Sequence, residues 1–206
     1  MLKVLTISVP KNRLCKVKYV LSNMNKSAIE ELIETLKKFA NYQSKVIDAG
    51  KVIKKALESG GKILSAGNGG SAADALHFVE ELVGRFEKTR PPFSAVCLAA
   101  DATLLTCILN DFGPDVIFSR QLEALANKGD VLVVFSTSGE SKNIINALSM
   151  AKKCGVTSIA LLGKSGGVAK DFADMSIVIP SHNTARIQEV HTLVLHTWLS
   201  QIESAI

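Results

Sequence analysis

The run Gly61-Lys62-Ile63-Leu64-Ser65-Ala66-Gly67-Asn68-Gly69-Gly70-Ser71, continued by Ala72-Ala73-Asp74-Ala75-Leu76-His77-Phe78-Val79-Glu80-Glu81, decides how the chain is read. A short apolar run, then glycines, then a serine opening a helical pattern is how a buried strand hands over to a helix N-terminus. Free backbone N–H groups and the helix dipole attract anions there. The stretch reads as a phosphate cradle. The helix leaving it carries His77 and Glu81 at i and i+4, which puts an imidazole and a carboxylate on one face.

Outward from this stretch the same alternation recurs. Upstream, Ser27-Ala28-Ile29-Glu30 is a capping box, and Ile29, Leu32, Ile33, Leu36, Phe39 and Ala40 follow at helical spacing. A second helical pattern through Ile47, Val52, Ile53 and Leu57 stops at Ser59-Gly60-Gly61. Two helices therefore precede the first strand, packed either on the sheet or on a partner subunit. Downstream, the helix after the cradle runs to about Phe86 and Ser94–Ala100 reads as a second strand. Ala102–Leu109 and Val116–Asn127 read as helices around the connection Asn110-Asp111-Phe112-Gly113-Pro114. Val131–Phe135, Thr157–Leu162 and Ser176–Ile179 complete five strands. Helices are expected from Ser141 to Cys154, from Gly167 to Phe172 and from Thr184 to the end. Such alternation implies an α/β fold with a mostly parallel sheet covered on both faces.

Composition limits the function classes. With 206 residues, 47% of them apolar, the chain can bury a full core as one domain. No apolar run approaches the roughly 20 residues of a membrane-spanning helix, and no export signal is read, so a cytoplasmic protein is expected. Cys15, Cys97, Cys107 and Cys154 have neither metal-site nor disulfide-scaffold spacing, which suits a reducing compartment. The formal charge of +5 belongs to the N-terminus: residues 1–26 hold six of the 24 bases and none of the 19 acids, leaving 18 bases against 19 acids beyond them. Residues 1–26 thus read as a basic extension before a domain at 27–206, with Met24 a candidate initiator. A nearly neutral domain argues against nucleic-acid binding.

Ligands of open α/β sheets bind outside the carboxyl ends of the strands. Two loops there have the right chemistry: Asn68-Gly69-Gly70-Ser71, and Ser136-Thr137-Ser138 with Ser141. Hydroxyls and backbone N–H groups hold a phosphate without a dedicated cation. One such loop is as well explained by helix capping; two at equivalent strand ends favour a phosphorylated ligand. Gly67-Asn68-Gly69-Gly70-Ser71-Ala72 also fits the dinucleotide pattern G-x-G-x-x-A. The acid that this pattern wants roughly 20 residues on is absent, since Asp101 comes far later. On the last helix Gln188, Thr192 and His196 fall on one stripe with His191 beside it. His77 with Glu81 and Gln188 with His196 make four N/O donors in two helical pairs, a set suited to zinc or a similar divalent ion where the helices meet.

The runs Gly67–Ser71, His77–Phe86, Asn110–Gly113, Ser136–Gly139 and Arg186–His191, in this order, closely resemble the phosphoheptose isomerases, the sedoheptulose 7-phosphate isomerases of the SIS (sugar isomerase) family. The resemblance extends from about Ser27 to the C-terminus. It implies a flavodoxin-like three-layer SIS fold, a homotetramer with active sites at subunit contacts, and one zinc ion per subunit held by His77, Glu81, Gln188 and His196. By the same likeness Asn68, Gly69, Gly70, Ser71, Asn110, Asp111, Ser136, Thr137, Ser138, Ser141, Glu81 and Gln188 touch the sugar phosphate. Glu81 and His196 are the expected catalytic pair of an enediol isomerisation that opens nucleotide-activated heptose biosynthesis. Ala185 stands where these isomerases commonly have Asp, and Ala72 and Ala73 replace larger residues. The segment Ser181–Gln188 is closer to a sister group of SIS proteins that bind the bacterial replication initiator. That group, a non-catalytic binding module, generally lacks the carboxylate and the last histidine, so Glu81 and His196 separate the two classes.

Overall fold

The computed structural model describes residues 27–204; the basic segment 1–26, and the expectation about Met24 with it, lies outside them. Helix α1 (Ala28–Phe39) opens on the expected capping box: the Ser27 hydroxyl accepts from the Glu30 amide at 3.2 Å and the Glu30 carboxylate accepts from the Ser27 amide at 2.9 Å. A single 3₁₀ turn (Ala40–Tyr42) leads into α2 (Gln43–Glu58). Then follow β1 (Ile63–Gly67), α3 (Gly70–Val83), β2 (Ala95–Cys97), α4 (Ala102–Phe112), α5 (Ser119–Leu125), β3 (Val131–Ser136), α6 (Lys142–Cys154), β4 (Thr157–Gly163), α7 (Ala169–Phe172), β5 (Met175–Ile179) and α8 (Thr184–Glu203).

All five strands are parallel, in the order β2-β1-β3-β4-β5. Successive side chains of each strand leave opposite faces, so the sheet splits the core in two. Ile63, Val131, Val133, Phe135, Ile159 and Leu161 pack under α2, α3 and α8. Leu64, Ala66, Leu132, Val134, Ala160 and Leu162 pack under α5 and α6. Both faces being dry explains why β1, β3 and β4 read as apolar runs rather than alternations. The order reverses at β1, with β2 on one side and β3 on the other, and this switch point is where a ligand crevice opens.

Four boundaries differ most from expectation. The second strand is only three residues: it pairs β1 from Ala95 to Cys97, and Leu98 gives its amide to the Ser65 carbonyl before the chain turns. Asn110, Asp111 and Phe112 belong to α4, which stops at Gly113, whose φ of 85° ends the helix. The helix expected over Val116–Asn127 is a 3₁₀ turn (Pro114–Val116) followed by the seven-residue α5. α3 stops at Val83, earlier than Phe86, for a reason given below.

The helical pair ahead of the sheet resolves into two cases. α2 packs inside the chain, with Ala49 and Ile53 fully buried and its Val46 carbonyl accepting from Trp198 Nε1 at 2.8 Å. α1 buries Phe39 but leaves Ile29 70% and Ile33 46% exposed. Among the described residues no helix is long and apolar enough to cross a membrane.

Candidate active site

β1 and β3 end level with each other, Gly67 opposite Phe135. Just beyond, Asn68, Ser71, Ser136, Thr137, Ser138 and Ser141 line one small polar pocket with Phe135 as its floor. The N-termini of α3 and α6 both open onto it and turn the positive ends of two helix dipoles toward the pocket, while the Ser71, Ala72 and Ile144 amides donate to the Asn68, Gly69 and Ser141 carbonyls. Gly69 is the capping residue of α3, with φ 56° and ψ −122°, a conformation that an L side chain resists. Ser136 and Ser138 use their hydroxyls locally, accepting from the Gly139 and Glu140 amides, each at 3.1 Å. Ser141 occupies the capping position of α6, yet its side chain makes no capping hydrogen bond. The helix-capping explanation therefore fails for Ser141, whose hydroxyl remains available in the pocket. Asn68 and Asn143 bridge the two loops by a reciprocal amide pair of 2.9 and 3.1 Å. Asn143 was not singled out from the sequence.

From this pocket α3 and α8 run side by side in the same direction, touching at successive levels. At the first level the Gln188 side-chain amide lies against Gly70, in the space a β-carbon there would occupy. At the second, Thr192 Oγ1 lies 3.5 Å from Asp74 Oδ1 and the fully buried His191 has Nδ1 3.6 Å from Asp74 Oδ2. At the third, His77 and His196 approach edge to face with their Nε2 atoms 3.5 Å apart, and Glu81 Oε1 lies 3.5 Å from His77 Nε2. The Glu80 carboxylate joins His77 and Glu81 in a group whose donor atoms all lie within 4.8 Å of one another. At the fourth, beyond the Phe78–Trp198 contact, Glu203 meets the loop that follows α3.

Of the four expected metal ligands, His77 lies 3.5 Å from Glu81 on its own helix and 3.5 Å from His196, 119 residues further along, while the set with donor atoms all within 4.8 Å of one another is His77, Glu80 and Glu81. Two imidazoles and a carboxylate suit zinc by donor chemistry. Gln188 lies on the same stripe, but its contact is with Gly70 at the phosphate end of the pair. Asn110 and Asp111 do not line the pocket; Asn110 Nδ2 donates to Asp111 Oδ1 at 2.8 Å and both are exposed on α4. Ala185 is exposed in the first turn of α8. Arg90, Glu203 and Phe86, all adjacent to the imidazole–carboxylate cluster, were not anticipated. Burial alone would push the Glu203 carboxyl up, but the amides of Lys88, Glu87 and Phe86 and the Arg90 guanidinium outweigh it and hold the group below the ordinary glutamate value.

The family profile of the SIS domain matches residues 28–163, and the chain, with its five-stranded parallel sheet, belongs to that family. Its relatives narrow the class. Over 186 residues it is 43% identical to a phosphoheptose isomerase of Campylobacter concisus, covering 90% of this chain and 98% of that one. It is 46% identical over 180 residues to the phosphoheptose isomerase of a Nitratiruptor species, covering 85% and 96%. The solved phosphoheptose isomerase of Francisella tularensis superposes with a TM-score of 0.84 at 37% identity, over 90% of this chain and 98% of that one. The chain is an isomerase, an enzyme.

Proposed function

We propose that the protein converts sedoheptulose 7-phosphate to D-glycero-D-manno-heptose 7-phosphate through an enediol, with zinc bound by His77, Glu81, Gln188 and His196. The observation that carries this reading is the gathering of His77, Glu81 and His196 on the helix pair that begins at the phosphate pocket. Backbone amides of the α3 and α6 N-termini, with Ser71, Ser136, Thr137, Ser138 and Ser141, hold the phosphate and so fix the reacting carbons along α3. Glu81 takes a proton from C1 and returns it at C2, while His196 moves the hydroxyl proton from O1 to O2. Zinc, when bound, stabilises the oxyanion that develops at those oxygens. Asn68, Gly69, Gly70 and Gln188, at the pocket end of the helix pair, and Asn110 and Asp111, exposed on α4 outside the pocket, are the further proposed substrate contacts.

The working unit is proposed to be a homotetramer with active sites at subunit contacts. Ile29, Ile33, Leu76, Val83 and Leu193 support this: all are exposed apolar side chains on α1, α3 and α8, the helices that carry or flank the site. A cytoplasmic setting suits the three free thiols among the described residues, and a place at the start of nucleotide-activated heptose synthesis follows from the product.

The test is purified protein incubated with sedoheptulose 7-phosphate, with and without zinc, and watched for the aldose by NMR. Turnover that zinc restores to chelator-treated protein is the expected result; none in either condition refutes the reading. Glu81→Gln should lower turnover by at least about 10²-fold, the low end of a general base's contribution, with an unchanged elution volume on gel filtration. Retained turnover removes Glu81 as the base.

A further inference from the structure

Glu81 sits two residues before the end of α3, where a helix normally frays because its last carbonyls have no amide to accept from. Here the carbonyls of Glu80, Glu81 and Leu82 are occupied. The Gly84 amide donates to the Glu80 carbonyl at 2.7 Å. Arg90 Nη2 donates to the Glu81 carbonyl at 2.7 Å and Nη1 to the Leu82 carbonyl at 2.9 Å, and the Phe93 amide also donates to Leu82 at 3.0 Å. The chain leaves the helix early, at Val83, because the returning Arg90 supplies donors that further helix would have supplied.

Arg90 is in turn fixed from α8. Its side chain is fully buried and its Nε donates to Glu203 Oε1 at 2.9 Å; the Glu203 side chain is 2% exposed. The same carboxylate accepts from the amides of Phe86, Glu87 and Lys88 at 3.2, 2.9 and 2.8 Å. Glu203 lies seven residues, two turns, beyond His196 and so on the same face of α8. The loop that it clasps presents the ring of Phe86 to His196, with centroids 5.4 Å apart and planes inclined by 26°. One buried ion pair therefore controls the main chain that bears Glu81 and the ring that backs His196.

We propose that Arg90, Glu203 and Phe86 are positioning residues that set the separation and orientation of Glu81 and His196 for proton transfer and metal capture. The proposal rests on the isomerase reading above. A merely structural clamp would change stability alone; a positioning clamp also changes the site in protein that remains folded. Partners that orient ligating and catalytic groups from behind typically change metal affinity or activity by about 10–100-fold.

Two variants test it. Phe86→Leu keeps apolar volume and leaves every backbone bond to Glu203 in place, while removing the flat face behind His196. Arg90→Lys keeps a cation against Glu203 and loses the fork that reaches both carbonyls. For each, zinc affinity is measured by competition with a chromophoric chelator, kcat and KM with sedoheptulose 7-phosphate, and melting by circular dichroism. Phe86→Leu should melt close to the wild type, with kcat lowered and zinc binding weakened by about tenfold and KM within about twofold. Arg90→Lys should shift the same two quantities further, up to about a hundredfold; should it fail to fold, Phe86→Leu decides alone. Wild-type kcat and zinc affinity in Phe86→Leu overturn the proposal, as does a rise in KM alone. A wild-type protein that neither binds zinc nor turns over removes the isomerase reading and this inference with it, whereas an active wild type beside an unimpaired Phe86→Leu removes the inference only.

Discussion

The two ends of the α3–α8 pair are built on opposite principles. At the phosphate end the chain offers glycines, hydroxyls and open helix N-termini, with Ser141 uncapped and the Asn68–Asn143 pair exposed to solvent. At the far end it offers a dry ion pair whose carboxylate accepts four hydrogen bonds and whose guanidinium donates to α3 and to Glu203 at once. An end that must release and rebind a charged ligand leaves donors unspent, because any group already satisfied has nothing to give. An end that must hold two helices in register spends every donor, because a buried polar group left unpaired is costly. Binding and geometry are thus assigned to separate places along one helix pair.

That division is broken most directly at Glu203. Glu203→Gln strands the fully buried Arg90 guanidinium, and removal of one partner of a buried pair costs about 3–5 kcal/mol; urea unfolding should show it as a lower midpoint. A loss under about 1 kcal/mol, typical of exposed pairs, would mean that the far end is not the rigid one. The next effect is in acid. The folded-state pKa of Glu203 is depressed, so its stabilisation is complete above the ordinary glutamate value and is lost as pH falls through the depressed value. Asp130 behaves the same way: burial opposes its charge, but Lys62 and the Lys62 and Asn127 amides hold its pKa down. Unfolding free energy measured against pH should fall through this acidic window in the wild type, and fall less steeply in Glu203→Gln. Equal slopes would show that Glu203 is not a source of the acid sensitivity. The smallest effect on stability belongs to the phosphate end. Ser141→Ala should leave the urea midpoint unchanged and raise KM about tenfold, the loss of roughly 1.4 kcal/mol of phosphate binding. A shifted midpoint with KM unchanged would reverse the assignment of roles.

The same contrast explains what could be read from the sequence. The phosphate end is local: a strand, a glycine turn and a helix start lie within a dozen residues, and His77 and Glu81 are one turn apart, so spacing alone puts them together. Two apolar runs buried on both faces made β1 and β3 legible, and with them the pocket. The far end is not local. Arg90 and Glu203 are separated by 113 positions, and Arg90, beside Pro91 and Pro92, reads as an ordinary connection. The pairing of His196 with His77 was legible only through the family likeness, because no periodicity says which faces of two distant helices meet. Asn110 and Asp111 read as a turn because Gly113 and Pro114 mark one; the helix runs up to that mark, leaving Leu109 and Phe112 exposed.

His191 and Asp74 occupy the middle of the pair, and their side-chain atoms His191 Nδ1, His191 Nε2 and Asp74 Oδ2 lack hydrogen-bond partners among the described residues. The level between the two ends is therefore neither spent nor open, and Phe135 of the pocket floor touches the His191 ring edge to face.

The late position of α8 has a consequence for how the protein comes into being. The five strands, the pocket residues and His77 and Glu81 all precede α8 in the chain, and contacts across so long a span slow folding because the intervening chain must close before they form. Until α8 docks, the sheet face that receives Ile187, Val190, Leu195, Trp198 and Leu199 is uncovered, so a chain without that helix would lose this half of the core together with His196, Gln188 and the anchor of Arg90.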